Sequence, residues 1–451
     1  MQYAEKLISG MLPFCMLMLC GVYLTFKLKF IQFRGFWKSI KQFKSAFSVK
    51  SDKSQGISSA QSACTALSAT VGTGNIAGVA GAISLGGAGA VFWMIISAVI
   101  GMVVKYAEIT LAVKYREKMA EDFSGGPMYY IKNGLPAIFK PLATAFALAA
   151  IFAVLCTGNI TQTNAAVSSL NINPLFRLVF GIFFALLTHI VIKGGGRSIA
   201  SVTEKIVPLM SVLYTALTIG IIIFNIDFLP EAVKMIIIGA FTPKAVTAGA
   251  VGSVINCIIT GASRGVFSNE AGLGTSGMAH SKAYDADYKT QGLYGIFEVF
   301  IDTIVICTLT ALTILCSRVN INYGSIASSE LVVKALDSVY GEISTFILGF
   351  MMCIFAFSSI IGWALYGNIC GEYLFGEKHK AVFNIIYPLA CISGAVFDAD
   401  TAWRLSEFFN GIMLCINLPI LVLLSDSIKT EKRIEKYERK NKKITGFFRK
   451  G

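Results

Sequence analysis

The chain has 451 residues, 55% of them hydrophobic and only 14% charged, with a formal net charge of +13. Its mean hydropathy is +0.67. So little charge cannot wet a soluble protein of this length, which excludes a water-soluble enzyme; so much apolar content excludes a disordered chain. The apolar runs are long and unbroken, which also argues against a membrane barrel, whose short strands alternate.

An all-α polytopic membrane protein remains. A bilayer core of ~30 Å needs ~20 apolar residues at ~1.5 Å each. Eleven segments qualify: 7–26, 57–84, 88–112, 141–170, 175–192, 203–224, 245–279, 291–316, 343–374, 381–397 and 404–425. The first runs straight into Lys27, Lys29 and Arg34, a stop-transfer pattern and not a cleaved signal. Between the spans, 229–240 and, more weakly, 325–340 place apolar residues on one helical face and predict short helices resting on the bundle.

Basic residues resist translocation and collect in cytoplasmic loops. With the C-terminal tail inside, 30 of the 39 Lys and Arg fall in inside loops and seven outside. The N-terminus is therefore expected outside and the C-terminus in the cytoplasm, in a prokaryotic cell membrane. The positive charge needs no nucleic acid to explain it; part of it suits anionic lipid at the tail, where Lys432, Glu435, Lys436, Glu438 and Arg439 predict a short exposed helix. The eleven cysteines are scattered, with no C-x-x-C pair, and read as packing residues. His189, His280 and His379 have no metal spacing.

Two spans differ from the rest. The second contains Ser68-Ala69-Thr70-Val71-Gly72-Thr73-Gly74-Asn75-Ile76-Ala77-Gly78, and the seventh contains the glycine-rich and polar run from Gly261 to Gly274. Clustered glycines let a helix unwind, and unwound backbone survives in a membrane only where protein or a cavity shields it. The same small residues also suit tight helix packing, as in Gly74-x-x-x-Gly78. Their placement favours a break. With the first span set aside, ten spans divide five and five, and each half opens on one of these segments in opposite orientation, the mark of an inverted repeat. The domains are then 1–56 (extra helix and basic linker), 57–224 (first repeat), 225–244 (connector), 245–425 (second repeat) and 426–451 (basic tail). A half-helix N-terminus after Asn75 would offer N–H groups to a carboxylate, and the half-helix C-termini would offer carbonyls to a cation or an ammonium group.

The run Ala69–Gly78, with Gly125-Gly126-Pro127-Met128-Tyr129-Tyr130-Ile131 and Arg264-Gly265-Val266-Phe267-Ser268-Asn269-Glu270-Ala271-Gly272-Leu273-Gly274, resembles the alanine/glycine:cation symporters, over about residues 57–425. The resemblance implies a leucine-transporter-type fold with one extra N-terminal helix and sodium-coupled uptake of alanine or glycine. It further implies that Thr73, Gly74 and Asn75 bind the substrate carboxylate and that Gln162 reaches the substrate from the side. Gly265, Val266, Phe267 and Ser268 would supply backbone groups and a wall, and Trp363 would cap the side-chain pocket. A sodium site would combine carbonyls of Ser68, Val71 and Phe355 with the hydroxyls of Ser358 and Ser359. Sodium is the coupling ion, with no organic cofactor, and a monomer is expected. The residues alone leave other uses open: Trp363 as packing, and the serine pair bonded to the preceding helical turn.

Charges inside spans cost ~2.5–3.5 kcal/mol or more at mid-membrane. Glu298 and Asp302, four apart on one face, together with Lys105, Glu108 and Arg264, therefore read first as ion pairs within the bundle, and second, for Glu298 or Asp302, as a proton carrier or coupling group. Arg264 with Glu270 is a candidate intracellular gate. Gly261-x-Ser263-x-Gly265 and Gly72-x-Gly74-x-x-Ala77 match hydrolase and dinucleotide fingerprints only formally, since a membrane span lacks the strands both need. The competing functions are proton-coupled symport, a channel and a transporter-like receptor.

Overall fold

The computed structural model describes residues 11–48, 56–119, 122–170, 172–242, 253–324 and 329–429. Within them the chain is almost entirely helical. In order, α1 is Leu12–Lys27, α2 Phe36–Ser48, α3 Ser59–Thr70, α4 Ala77–Gly86, α5 Ala90–Lys114, α6 Lys140–Leu155, α7 Thr161–Ser169, α8 Pro174–Lys193 and α9 Gly195–Phe224. They are followed by α10 Leu229–Phe241, α11 Val254–Asn269, α12 Thr275–Ser281, α13 Tyr288–Val299, α14 Thr308–Cys316, α15 Glu330–Tyr340, α16 Ser344–Phe375, α17 His379–Val396 and α18 Ala399–Leu423. A two-stranded hairpin, Glu117–Lys118 with Phe123–Ser124, interrupts them. Seven continuous helical stretches are long and apolar enough to cross a membrane, the bent pair α3–α4 makes an eighth, and α1 is a shorter apolar helix.

The helices sort by which faces they bury. α8 and α9 turn Phe183, Leu186, Ile190, Leu209, Val212 and Ile223 outward, as a lipid-facing surface requires. The segment from Ile57 to Ser84 is the opposite: every residue is buried. So is 268–283, across the second interruption. Both irregular stretches therefore lie inside protein, the only place in a bilayer where non-helical backbone is tolerated. α3 packs against α9 and α16, and α5 against α11 and α13. The amphipathic segments 229–240 and 330–340 are helices, as their periodicity predicts. The expected tail helix falls outside the described residues beyond Lys429.

Within the spans the described residues include π-helical segments at Cys156–Ile160, between α6 and α7, and at Phe300–Cys307, between α13 and α14. A π turn adds a residue to the helical ladder and reorients the side chains beyond it, and such turns are frequent at functional sites.

Candidate functional site

α3 opens on a capping box: Ser58 Oγ accepts from Gln61 N at 3.3 Å, and Gln61 Oε1 accepts from Ser58 N at 3.1 Å. The helix stops at Thr70, Val71 turns extended, and one 3₁₀ turn, Thr73–Asn75, leads into α4 with a bend of 54°. The turn is tightest at Gly72. A Cβ on Gly72 would lie 2.4 Å from Ser359 Oγ and 3.1 Å from Gln162 Oε1.

The polar residues of this turn reach in two directions. Asn75 Oδ1 accepts from Gly72 N at 2.9 Å, while its Nδ2 donates to Asp302 Oδ1 at 2.7 Å and to the Asp302 carbonyl at 3.1 Å. Gln162, on α7, accepts at Oε1 from Thr73 N (3.2 Å) and Thr73 Oγ1 (2.8 Å), and its Nε2 donates to the Thr157 carbonyl at 3.2 Å. Gln162, far along the chain, thus meets Thr73 at the first break that also holds Asn75. Gly74 lies under Phe267, whose ring would be 3.4 Å from a Cβ at position 74.

The second interruption lies later than the glycine-rich motif suggests. α11 is unbroken through Gly265, Val266, Phe267 and Ser268, and the chain leaves it at Glu270–Gly274. The reason is a division of labour among glycines. Gly261 and Gly265 serve close packing, since their Cβ atoms would lie 2.1 Å from the Ala90 carbonyl oxygen and 2.5 Å from Ser97 Oγ. Gly272 and Gly274 serve the turn, with φ of +94° and +78°, and Glu270 also adopts the left-handed conformation at +57°. Gly274 N donates to Glu108 Oε1 at 2.8 Å, and Thr275 Oγ1 donates to Glu270 Oε2 at 2.6 Å.

Asp302 is the hub that the sequence could not place. Its carboxylate accepts from Asn75, from Ser268 Oγ at 2.8 Å and from Thr303 Oγ1 at 2.7 Å. It thereby ties the first break, the end of α11 and the π segment together. Glu298, four residues earlier, points elsewhere: Oε1 is 2.6 Å from His280 Nε2, and Oε2 is 3.7 Å from Lys105 Nζ. The π turn begins between the two acids and separates roles that an ideal helix would keep on one face. Lys105 Nζ donates to the Asn269 carbonyl at 2.6 Å. His280 Nδ1 is 2.8 Å from Gln291 Nε2, and Gln291 Oε1 accepts from Ser59 Oγ at 2.9 Å; Ser59 also donates from N to Asp285 Oδ1 at 2.8 Å. A continuous buried polar chain so joins the second break to the start of α3. The wide spacing of the histidines in sequence gave no sign of His280's part in it.

Also around the first break, Ser68, Val71, Phe355, Ser358 and Ser359 are all buried. Among the described residues Ser358 Oγ and Ser359 Oγ have no hydrogen-bond partner, so neither is bonded to its preceding turn. Gly362 brings the backbones together, its Cβ position lying 2.4 Å from Ser68 Oγ. Trp363 is buried against Gly158 of the first π segment and meets Tyr366 edge-on at 5.6 Å.

A layered plug covers Gly74. Phe267 lies on Trp403 with ring centroids 4.6 Å apart, the Arg264 guanidinium sits 4.6 Å from the Trp403 ring, and Arg264 pairs with Glu407 at 3.1 Å. Arg264 therefore engages α18, and the expected Arg264–Glu270 gate is not formed, because Glu270 turns back into its own break to bond Thr275. A cleft of about 360 Å³ opens onto this plug, lined by Gly78, Asn164, Arg264, Trp403 and Glu407 among others.

The family model for the sodium:alanine symporter family matches residues 1–447. The chain belongs to that family. A sodium/alanine symporter, AgcS, of Methanococcus maripaludis is 37% identical over 442 residues, covering 95% of each chain. The amino-acid carrier protein AlsT of Bacillus subtilis is 35% identical over 411 residues, 90% of this chain and 85% of its own. Among solved structures, that of MhsT in complex with L-phenylalanine superposes with a TM-score of 0.59 at 15% identity, over 81% of this chain and 88% of MhsT, a likeness of fold. As a member of this family the chain is a multi-pass membrane transporter of the sodium-coupled amino-acid symport type, with sodium as the coupling ion.

Proposed function

We propose that this chain carries alanine, glycine or a similarly small neutral amino acid into the cell together with sodium. The observation that carries the reading is the buried break at Val71–Asn75. It gathers Thr73, Asn75 and Gln162 and, around Gly72 beside Gln162, the hydroxyl of Ser359 with Ser358 next to it in the chain, neither hydroxyl having a hydrogen-bond partner among the described residues. The N–H groups at 73–75 suit a substrate carboxylate, because a half-helix N-terminus carries ~0.5 of a positive charge; in this reading the carboxylate takes over donors of Thr73 and Asn75 that Gln162 and Asp302 now hold. Gln162 closes the side of that site, Phe267 covers Gly74, and in this reading residues 266–268 and Trp363 wall the side-chain pocket, while Gly265 is turned to Ser97 on α5. Buried hydroxyls without partners are costly, and a hard cation that accepts their lone pairs relieves the cost. Sodium held by Ser358, Ser359 and the carbonyls of Ser68, Val71 and Phe355 fits that chemistry. Asp302, bonded to Asn75 and Ser268, supplies negative charge where both broken spans meet.

The architecture in this reading is eleven spans: one extra helix followed by two inverted five-helix repeats, N-terminus outside and C-terminus in the cytoplasm, acting as a monomer. The two broken segments and their neighbours rock about the central site in alternating access. Sodium and amino acid must both favour the closed state, since a ligand shifts an equilibrium only by its differential affinity.

The deciding measurement is radiolabelled alanine uptake into proteoliposomes under an imposed sodium gradient. Accumulation that saturates with alanine and requires external sodium is expected. Uptake that continues unchanged with potassium on both sides, or that an acid-outside gradient drives without sodium, removes sodium coupling.

A further inference from the structure

The transport reading leaves unused the strap between α1 and α3. Lys29 and Phe30 both adopt left-handed backbone, with φ of +56° and +57°, and turn the chain away from α1. A single helical turn, Ile31–Arg34, and then α2 come next. One face of the strap is clamped to the bundle. Phe36 meets Phe300 edge-on at 4.9 Å, and Phe43 lies 4.4 Å from Phe297 and 6.3 Å from Tyr294. Gly35 sits so close that a Cβ would be 3.0 Å from Leu293 Cδ2.

The other face is built differently. Phe33 and Trp37 are 58% and 72% exposed, far more than a soluble surface favours for such rings. Lys29, Arg34, Lys38 and Lys41 are exposed beside them. No acidic residue occurs between Lys6 and Ser51 to neutralise these cations. Exposed aromatics set among cations, with no counter-charge on the same segment, match the headgroup layer of an anionic leaflet: rings at the acyl boundary, ammonium and guanidinium groups at the phosphates.

We propose that this outer face docks anionic phospholipid headgroups of the surrounding membrane, and that the docked strap braces α13 and the π segment, which carry Glu298 and Asp302. The proposal rests on the chain's place in a bilayer and not on which solute or ion it carries. Its test is therefore binding. The full-length protein, purified in detergent, is incubated with a mixture of phosphatidylglycerol and phosphatidylcholine, and the retained lipid is read by native mass spectrometry. The wild-type chain is expected to retain phosphatidylglycerol in preference. A variant carrying Lys29→Gln, Arg34→Gln, Lys38→Gln and Lys41→Gln is expected to lose that preference, by roughly fivefold for each cation removed. A variant with Lys29→Arg, Lys38→Arg and Lys41→Arg keeps the charge and is expected to keep the preference. If the fourfold variant does not purify as a folded species, Lys38→Gln with Lys41→Gln, both on the exposed face of α2, carries the same test with a smaller loss. Equal retention of the two lipids by the wild type, or an unchanged preference in the neutralised chain, overturns the proposal. Displacement of the lipid by inorganic phosphate overturns it too, since the site would then be one for a soluble anion.

Discussion

Asn75 is placed by its neighbours more than by its own span. Its amide bridges Gly72 N and the Asp302 carboxylate, so its loss leaves a buried carboxylate short of a donor as well as removing the proposed substrate contact. A hydrogen bond to a charged group is worth ~1.5–3 kcal/mol. Asn75→Ala is therefore expected to weaken alanine binding by roughly tenfold or more, measured by calorimetry or scintillation proximity on protein that still elutes as a single species. Gln162→Ala, which removes the acceptor for Thr73 N and Oγ1, is expected to act in the same direction. Wild-type affinity in either variant removes that residue from the site. Ser358→Ala with Ser359→Ala makes a sharper distinction. Neither hydroxyl has a protein partner to lose, so the melting temperature should hold or rise in the absence of sodium, while the sodium concentration for half-maximal uptake should increase at least several-fold. An unchanged sodium dependence counts against these two ligands. The residue types of this site were legible in the sequence, because glycine, asparagine and glutamine stand out inside apolar spans. Their partners were not. Asp302 and Glu298 looked like one pair, and only the intervening π turn assigns one to the breaks and the other to His280 and Lys105.

At the scale of elements, the two interrupted spans were readable as interruptions because mid-membrane glycine clusters have few physical uses. What could not be read was which glycine did which job. Gly261 and Gly265 accept a close neighbouring helix, and Gly272 and Gly274 accept positive φ, yet all four are the same letter within one motif. The physical difference lies in a partner helix, α5, more than a hundred residues earlier in the chain. Gly72 offers a quantitative check on the first break. A Cβ there would approach Ser359 Oγ to 2.4 Å, and overpacking of this kind costs ~1–3 kcal/mol. Gly72→Ala should lower the melting temperature. Adding Ser359→Ala removes the nearest atom, and the double variant should recover part of the loss, although Gln162 Oε1 remains 3.1 Å away. Strictly additive losses would mean that α3 and α16 do not meet at the break as described.

Taken whole, the proposed alternating access would have to open one of two closures of unequal strength. One is the plug of Phe267, Trp403, Arg264 and Glu407 beneath the cleft; the other is the chain from Asn269 through Lys105, Glu298, His280 and Gln291 to Ser59. Glu407 is a third exposed, so its pair with Arg264 is worth only ~0–1 kcal/mol. Lys105 and Glu298 are fully buried, and breaking a buried pair by removing one partner costs ~3–5 kcal/mol, because the other charge is left uncompensated. A carrier that rocks must open one side at a time, and this difference assigns the easier opening to the plug. Glu407→Gln is therefore expected to fold normally, with a melting temperature close to wild type, and to change the apparent affinity for external alanine by no more than roughly fivefold. Glu298→Gln, nearly the same change in shape, is expected to lower the melting temperature markedly, and Lys105→Met to do the same from the other partner. Combining Glu298→Gln with Lys105→Met removes both charges of the pair, so the double variant should lose less than the two single losses added together. Were Glu407→Gln as damaging as Glu298→Gln, the two closures would be energetically alike and the order of opening would have to come from the ligands alone.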